Sequence, residues 1–419
     1  MNRHKVTATF MRPARHMQGM LYAPERKGDR SHIGIILMHS DNDYLDQSAG
    51  FEMSARGYQV LCANPSMSAQ SFNNKIKEVS AAVELLKKQD GIEKVMLIGH
   101  SGGASLMSAY QNLAENGAKT FQGSEKIIKC PDFLDGMPPS DGFLCLDSNW
   151  GNGAMRLFGV DPAVIDDDDG LNIDESLNLF NPANGFSPEG ATYTDEFLEK
   201  YFREQHLRNM RLIDYALERL AFIEAGKGRY NDDEPMIVAG ASHFGPNNKL
   251  FPQDIRFLCR TKQERTLLRP GESTCEIVRT VRKPRNLRSL TGDFALGAMQ
   301  TTVRRFLDTH AVRTLDGYHY DDCQVFGVDW TSSYNCTPGN VIGISVPTLI
   351  LSMNGSYEFT AAETIYNNCT SADKTLAFVH GAGHNFYPEA DCESYPGEFG
   401  DTVKIIFDYA DLWLAERFL

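Results

Sequence analysis

The chain has 419 residues, 42% hydrophobic and 23% charged, which is ordinary for a globular enzyme and long enough for a large core. A formal net charge of −14 and a pI near 5.3 argue against nucleic acid and anionic membrane surfaces as partners. Nine scattered cysteines, an odd number with no C-x-x-C pair, predict reduced thiols in a cytoplasmic protein and argue against a zinc site.

Met1–Lys5 runs directly into the strand-like Val6–Phe10 with no long apolar stretch, so neither a signal peptide nor a transmembrane helix is expected. Ile33–Met38 predicts a buried strand ending in His39-Ser40-Asp41, and Tyr58–Asn64 predicts another. Lys94–Ile98 then continues without a break into Gly99-His100-Ser101-Gly102-Gly103, and a helical pattern follows from about Gly102 to Asn116. A serine on so tight a strand-to-helix turn must adopt a strained backbone, and glycines two before and two after it remove the Cβ clashes that would forbid the turn. The turn lifts Ser101 Oγ clear of the sheet. The helix aims its N-terminal N–H groups and positive dipole end at the place where an oxyanion would form. This is the pattern of a nucleophile elbow.

Gly142–Leu146 is a further strand, and Asp147 ends it on the same edge of the sheet as the serine. Between Asp147 and Pro347 lie about 200 residues with a different character, read as a second domain that interrupts the core. Gly151–Gly190 is loop-rich and acidic; its run Asp166–Asp169 before Gly170 lacks the EF-hand register and predicts a solvated surface or capping segment. Thr194–Phe222 has helical spacing, with an apolar stripe through Phe197, Leu198, Tyr201, Phe202, Leu207, Met210, Leu212, Ile213, Tyr215, Ala216 and Leu220. Pro235–Ala239 followed by Gly240-Ala241-Ser242-His243 imitates a strand with a histidine loop, but chain position argues against His243 as a catalytic base. The basic run Arg279, Arg282, Lys283, Arg285 and Arg288 follows the strand-like Cys275–Val278; it reads as a solvated hairpin or helix face, with an anion clamp as the alternative.

Val346–Met353 predicts a strand whose following loop carries Glu358, and Thr375–Val379 predicts a buried strand before Gly381-Ala382-Gly383-His384. The small residues let an imidazole approach the elbow. The expected order of serine, acid and histidine makes Ser101 the nucleophile, Glu358 the acid and His384 the base. Asp147 is the alternative acid, and His380 the rival base.

Together the strand ending in His39-Ser40, the elbow at Ser101, the acid loop at Glu358 and the Gly-Ala-Gly-His at His384 make the chain resemble the α/β-hydrolase superfamily over about its first 150 and last 80 residues. The resemblance implies a mostly parallel central sheet flanked by helices, with a core of residues 1–148 and 341–419. It also implies a large, mainly helical cap over 149–340, inserted between the sixth and seventh core strands. The backbone N–H groups of Gly102 and Asp41 are the implied oxyanion donors, although His39-Ser40-Asp41 stands where the family has His-Gly-X. An ionised Asp41 facing the oxyanion would repel it by about 4 kcal/mol at 4 Å, so its carboxylate should turn away or be paired. The alternative is that Asp41, Asn42 or Tyr44 contacts substrate.

The activity expected from this resemblance is hydrolysis of an ester, lactone or thioester of a small molecule through an acyl-enzyme, with no cofactor and no metal. An acyltransferase, a carbon–carbon bond hydrolase and a non-catalytic ligand-binding protein are the alternatives, and homo-oligomerisation stays open. Trp150, Phe158, Phe180, Trp330 and Tyr334 favour an enclosed pocket for a medium-sized, partly apolar substrate.

Overall fold

Long apolar runs become the centre of a ten-stranded sheet in a computed structural model that describes residues 3–67, 69–241, 254–283 and 297–419. The first six strands are β1 (Val6–Met11), β2 (Gln18–Pro24), β3 (Ile33–Met38), β4 (Gln59–Asn64), β5 (Lys94–Ser101) and β6 (Gly142–Ser148). Four more join them: β8 (Arg260–Arg269), β9 (Glu272–Arg279), β13 (Thr348–Met353) and β14 (Lys374–Val379). They lie in the order β1-β2-β4-β3-β5-β6-β13-β14-β8-β9. All pairings from β4 to β8 are parallel, and β2 and β9 run against their neighbours. This is the α/β-hydrolase fold that the sequence resembles.

The central strands are apolar on both faces because helices cover both. Ile33, Ile35, Leu37, Met96, Ile98, Leu144 and Leu146 pack with α1 (Ser48–Ala55) and the C-terminal α7 (Thr402–Phe418). Ile36, Met38, Val95, Leu97, Phe143 and Cys145 point the other way, into a core shared with α2 (Phe72–Lys87), α3 (Gly103–Asn116) and α6 (Ala361–Asn368). The two sets alternate along each strand with the period of two that the pleat dictates.

The segment between β6 and β13 departs from a mainly helical cap. It does hold α4 (Asn152–Gly159) and α5 (Asp195–Glu224), the latter capped by the Thr194 hydroxyl, which accepts from the Phe197 N–H. The buried face of α5 runs through Tyr201, Gln205, Arg208, Leu212 and Ala216, so Leu207 and Tyr215, assigned to the stripe, are exposed instead. Two small ladders accompany these helices: β7 (Pro235–Ala239) with β10 (Ala298–Thr302), and β11 (Thr314–Tyr320) with β12 (Val325–Val328). The β8–β9 hairpin leaves the insertion altogether and extends the main sheet beyond β14, through Ala377–Thr266, Phe378–Leu267 and Val379–Leu268. Otherwise β14 would present a row of unpaired backbone groups at a parallel edge, which is costly and prone to aggregation. Asp166–Asp169 is exposed, as expected of a solvated run.

The elbow explains its two glycines in atomic terms. A Cβ on Gly99 would lie 2.5 Å from Ala104 Cα, and one on Gly103 would lie 2.6 Å from the Met38 carbonyl oxygen. Both obstacles are backbone, which cannot move aside as a flexible side chain can. Gly99→Ala and Gly103→Ala are therefore each expected to cost about 1–3 kcal/mol of stability, as overpacking in a tight core does. Denaturant unfolding checks this, with Gly190→Ala, whose Cβ meets nothing within 4 Å, as the silent control.

Candidate active site

Ser101 terminates β5 with φ +55°, the left-handed conformation that a side-chain-bearing residue rarely adopts. Gly102 follows at φ −64° as the N-cap of α3, so the chain passes from strand to helix within two residues. Ser101 and Gly102 border a cavity of about 370 Å³, at the small end of ligand-binding pockets.

His384 sits on the loop after β14. Its backbone carbonyl accepts a hydrogen bond from Nε2–H of His100, the residue just before the nucleophile, at 2.8 Å. The two rings stack at 4.7 Å, and the Tyr44 hydroxyl donates to His100 Nδ1 at 2.6 Å. Burial pulls the His100 pKa down to about 3, so the ring is neutral and works as a fixed spacer between the elbow and the histidine loop. Among the described residues no hydrogen bond joins His384 to Ser101 Oγ; its ring nitrogen Nδ1 and its carbonyl carry the contacts. Nucleophile–base hydrogen bonds are often long without substrate and tighten in the complex.

Two buried carboxylates converge on His384 Nδ1. The Asp147 Oδ2 contact is 2.6 Å and the Glu358 Oε2 contact is 3.9 Å. The direct acid partner is therefore Asp147, and the expectation that Glu358 takes this place is corrected. The reason is local: Asp147 ends β6 at φ +43°, and its other oxygen accepts from the Ser352 hydroxyl and the Met353 N–H of adjacent β13, at 3.0 and 3.1 Å. Glu358 lies just beyond hydrogen-bond reach, and its Oε2 is buried without a hydrogen-bond partner. Burial raises its pKa to about 7, with the Asp147 charge adding to the effect. Burial also works against protonation of His384, but the Glu358 charge and the Asp147 hydrogen bond outweigh it and raise its pKa to about 9.

The loop after β3 corrects a second expectation. The Asp41 N–H is engaged by His39 Nδ1 at 3.0 Å, and the Asn42 N–H by the same nitrogen at 3.1 Å. A nitrogen that accepts two N–H donors carries no proton. Burial pulls the His39 pKa down to about 4, so the neutral ring holds its single proton on Nε2. That nitrogen faces the elbow: a Cβ on Gly102 would lie 3.2 Å from it. The Asp41 carboxylate is paired, as electrostatics required, by Lys75 Nζ at 2.9 Å, the Ser40 hydroxyl at 2.5 Å, Asn152 Nδ2 at 3.1 Å and Arg305 at 3.4 Å. Asp41 and Asn42 line the cavity, whereas Tyr44 is spent on His100.

Other candidates fall away from the site. His380 pairs with Asn354 and Glu398. His243, Arg285 and Arg288 lie outside the described residues. Arg282 lies over the Tyr357 ring at 5.6 Å and Lys283 reaches the Asp391 carbonyl, so this part of the basic run packs around the Glu358 and His384 loops. The aromatic residues expected to enclose a pocket join the core instead: Trp150, Phe158 and Tyr334 are buried in it, and Phe180 and Trp330 pack against it. The cavity wall is mixed, with polar Asn149, Asn152, Arg156, Gln300, Arg305 and His310 beside apolar Met155 and Met299 and the ring of Tyr357. A larger groove, about 640 Å³, runs along α5 beside Asp316–His319 and includes neither Ser101 nor His384.

The roles of His39 and His100 escaped the sequence reading. Their signal was a polar side chain at the end of an otherwise apolar buried strand, where a partner must be found.

Neither a protein-family model nor a curated protein matches the chain. Among solved structures it is similar to Est1E from Butyrivibrio proteoclasticus, at 9% identity over 98% of each chain with a TM-score of 0.40. It is similar to the siderophore hydrolase EstB from Aspergillus fumigatus, at 10% identity over 98% of each chain with a TM-score of 0.45. A brefeldin A esterase, described as a bacterial homologue of human hormone-sensitive lipase, shares 10% identity over 99% of this chain and 79% of its own, with a TM-score of 0.42. At TM-scores this low, the fold rests on this chain's own strand order and the site on its own contacts.

If two carboxylates hold the His384 proton, removing either charge lowers its pKa. Glu358→Gln should lower the His384 titration midpoint, read by NMR of the labelled ring, by about 1–3 units. An unchanged midpoint would mean that Glu358 carries no charge at the site.

Proposed function

We propose that the chain is a serine hydrolase that cleaves an acyl bond of a small molecule through an acyl-enzyme. The observation that carries this reading is Ser101 in a left-handed strand-to-helix turn, next in sequence to a histidine that anchors the loop of an Asp147-bonded His384. A strained, half-buried serine that borders a cavity, near an oriented imidazole, is the arrangement that acyl transfer requires.

In the mechanism, neutral His384 takes the Ser101 hydroxyl proton as Oγ attacks the acyl carbonyl carbon. Asp147, bonded to Nδ1, fixes the tautomer that leaves Nε2 free to accept, and its charge stabilises the imidazolium that forms. The carbonyl π electrons move to oxygen, and the resulting anion is met by the Gly102 N–H at the start of α3. His39 Nε2–H is the second donor in this reading, replacing the Asp41 N–H that His39 itself engages. The tetrahedral adduct collapses, the leaving group departs with the proton from His384, and water repeats the sequence to release the acid. Glu358 sets the working pH: with the His384 pKa near 9, the base is increasingly available as pH rises towards that value.

Treatment with a fluorophosphonate should add one adduct to the intact mass of the wild type and none to Ser101→Ala or His384→Ala. A folded wild type that takes up no adduct would count against an activated serine.

Steady-state hydrolysis of short 4-nitrophenyl esters separates the supporting roles. Asp147→Asn should lower kcat by about 10³–10⁴, the order expected when the imidazole tautomer is lost. His39→Ala should lower kcat by about 10²–10³ with little change in KM, as loss of one oxyanion donor does. The wild-type kcat/KM should rise with pH up to about 9, and this limb should move to lower pH in Glu358→Gln, because removing a neighbouring negative charge makes the imidazolium easier to deprotonate.

A further inference from the structure

Helix α5 buries one face against the insertion and turns another outward. The outward face carries Leu207, Tyr215 and Phe222, which are 41%, 50% and 39% exposed. Spacings of eight and seven residues are each about two turns, so the three side chains fall within about 80° of the helix circumference and span about 22 Å of its axis. Single exposed apolar residues are ordinary, whereas an aligned row marks an interaction surface. Apolar surface continues to one side of the row. Leu207 forms an edge of the groove of about 640 Å³ that Leu198, Phe202 and Tyr318 also line. Leu315, 54% exposed, follows Thr314, whose hydroxyl is bonded to His206 of α5.

Phe222 is held in place before anything covers it. The Arg219 guanidinium lies over its ring at 5.1 Å and is itself fixed by both oxygens of Glu234, at 2.9 and 2.8 Å. A ring ordered in advance loses little entropy on association. The charges within the row are ordered along the helix, with Arg211 followed by Asp214 and Glu218, all three exposed. Arg211 and Asp214 make no hydrogen bond or ion pair among the described residues. A positive group followed by negative ones is complementary to its own reverse, whereas a copy running in the same direction would set Arg211 against Arg211.

We propose that this face of α5 is the interface of a two-fold homodimer, in which α5 of a second copy of the chain packs antiparallel, with the axis between Asp214 and Tyr215. In this register Leu207 meets Phe222 of the second copy, Arg211 meets Glu218, and the Tyr215 hydroxyl donates to Asp214, each contact occurring twice by symmetry. Phe222 of the second copy then lies at the Leu207 edge of the groove. The helix row covers only part of the about 800 Å² per partner that a stable interface takes, and the groove edge and Leu315 supply the rest. Charges of both signs within the row suit a second copy better than an apolar lipid surface, which would leave them buried and unpaired. The interface lies apart from Ser101 and His384 and stands independently of the hydrolase reading.

Sedimentation equilibrium of the full chain at about 10 µM should give twice the 46.8 kDa chain mass. Leu207→Glu, which places a charge in the apolar contact at two symmetric points, should give the monomer. Arg211→Glu alone and Glu218→Arg alone should each raise the dimer Kd by about tenfold or more, because each sets like charges opposite one another twice. An equimolar mixture of these two variants should bring the Kd back to the wild-type range, since the mixed dimer restores both ion pairs. All three positions are exposed, and far-UV circular dichroism of each variant checks that it is folded. A wild type that stays monomeric at this concentration would overturn the proposal. A dimer that Leu207→Glu leaves intact, or a mixture no tighter than its two components, would overturn it equally.

Discussion

The passage of the chain from β5 into α3 is the constraint on which the rest of the site depends. A single residue, Gly102, separates strand from helix, and the helix start lies so close to the end of β3 that Gly103 sits against the Met38 carbonyl. Such proximity demands glycine on both sides and leaves Ser101 as the one residue of the turn that must accept left-handed φ with a side chain attached. The cost is met by packing, since β5 is buried between β3 and β6 and α3 is buried along most of its length. The same packing that imposes the strain also prevents its relaxation, so the hydroxyl is held at the carboxyl end of the sheet, where the other loops converge.

Three histidines share this small region and are driven to different states by their partners. His39 receives two backbone N–H groups and is kept neutral with its proton on Nε2. His100 is bonded at both nitrogens, to Tyr44 and to a carbonyl, and is likewise neutral. His384 alone faces carboxylates, and its pKa moves up rather than down. Burial acts on all three in the same direction, so the difference comes from whether a ring nitrogen meets a dipole or a full negative charge. The pair Asp147 and Glu358 is coupled through His384: Asp147 stays below the ordinary carboxylate range although burial opposes it, while Glu358 moves above. One carboxylate orients the ring and the other adjusts its proton affinity.

The insertion between β6 and β13 serves the site in three separate ways. Its β8–β9 hairpin closes the sheet edge beyond β14 and, through the Val281 N–H and Thr280 hydroxyl on the Asn354 carbonyl, braces the loop that carries Glu358. Its α4 supplies Arg156, and the turn before and the end of the π-helix Phe306–His310 supply Arg305 and His310, to the cavity wall. Its β7–β10 ladder and the C-terminal half of α5 form a small apolar core of their own, with Val160, Leu212, Ile213, Met236, Val238, Met299 and Phe306. The π-helix contributes Phe306 and Leu307 to that core, whereas α4 packs into the main core through Ala154, Met155, Leu157 and Phe158, so cavity shape depends on both.

The amino-acid sequence by itself determined the central strands, the elbow and the loop bearing His384, because each is written in neighbouring residues. Short continuous apolar runs bounded by turn residues fit strands covered on both faces, and Gly-x-Ser-x-Gly between a strand and a helix leaves few backbone solutions. It also narrowed the acid to Asp147 or Glu358. Only the tertiary structure decided between them, by pairing β6 with β13 so that Asp147 meets Met353 N–H and His384 Nδ1, 206 and 237 positions away. It alone turned the Asp41 N–H towards His39, drew 260–279 out of the insertion into the main sheet, and brought Arg156 beside Arg305. Local steric and apolar patterns act over a few residues and can be read in order. The partner of a buried charge or hydrogen-bond donor is set by distances across the fold, which no local pattern contains.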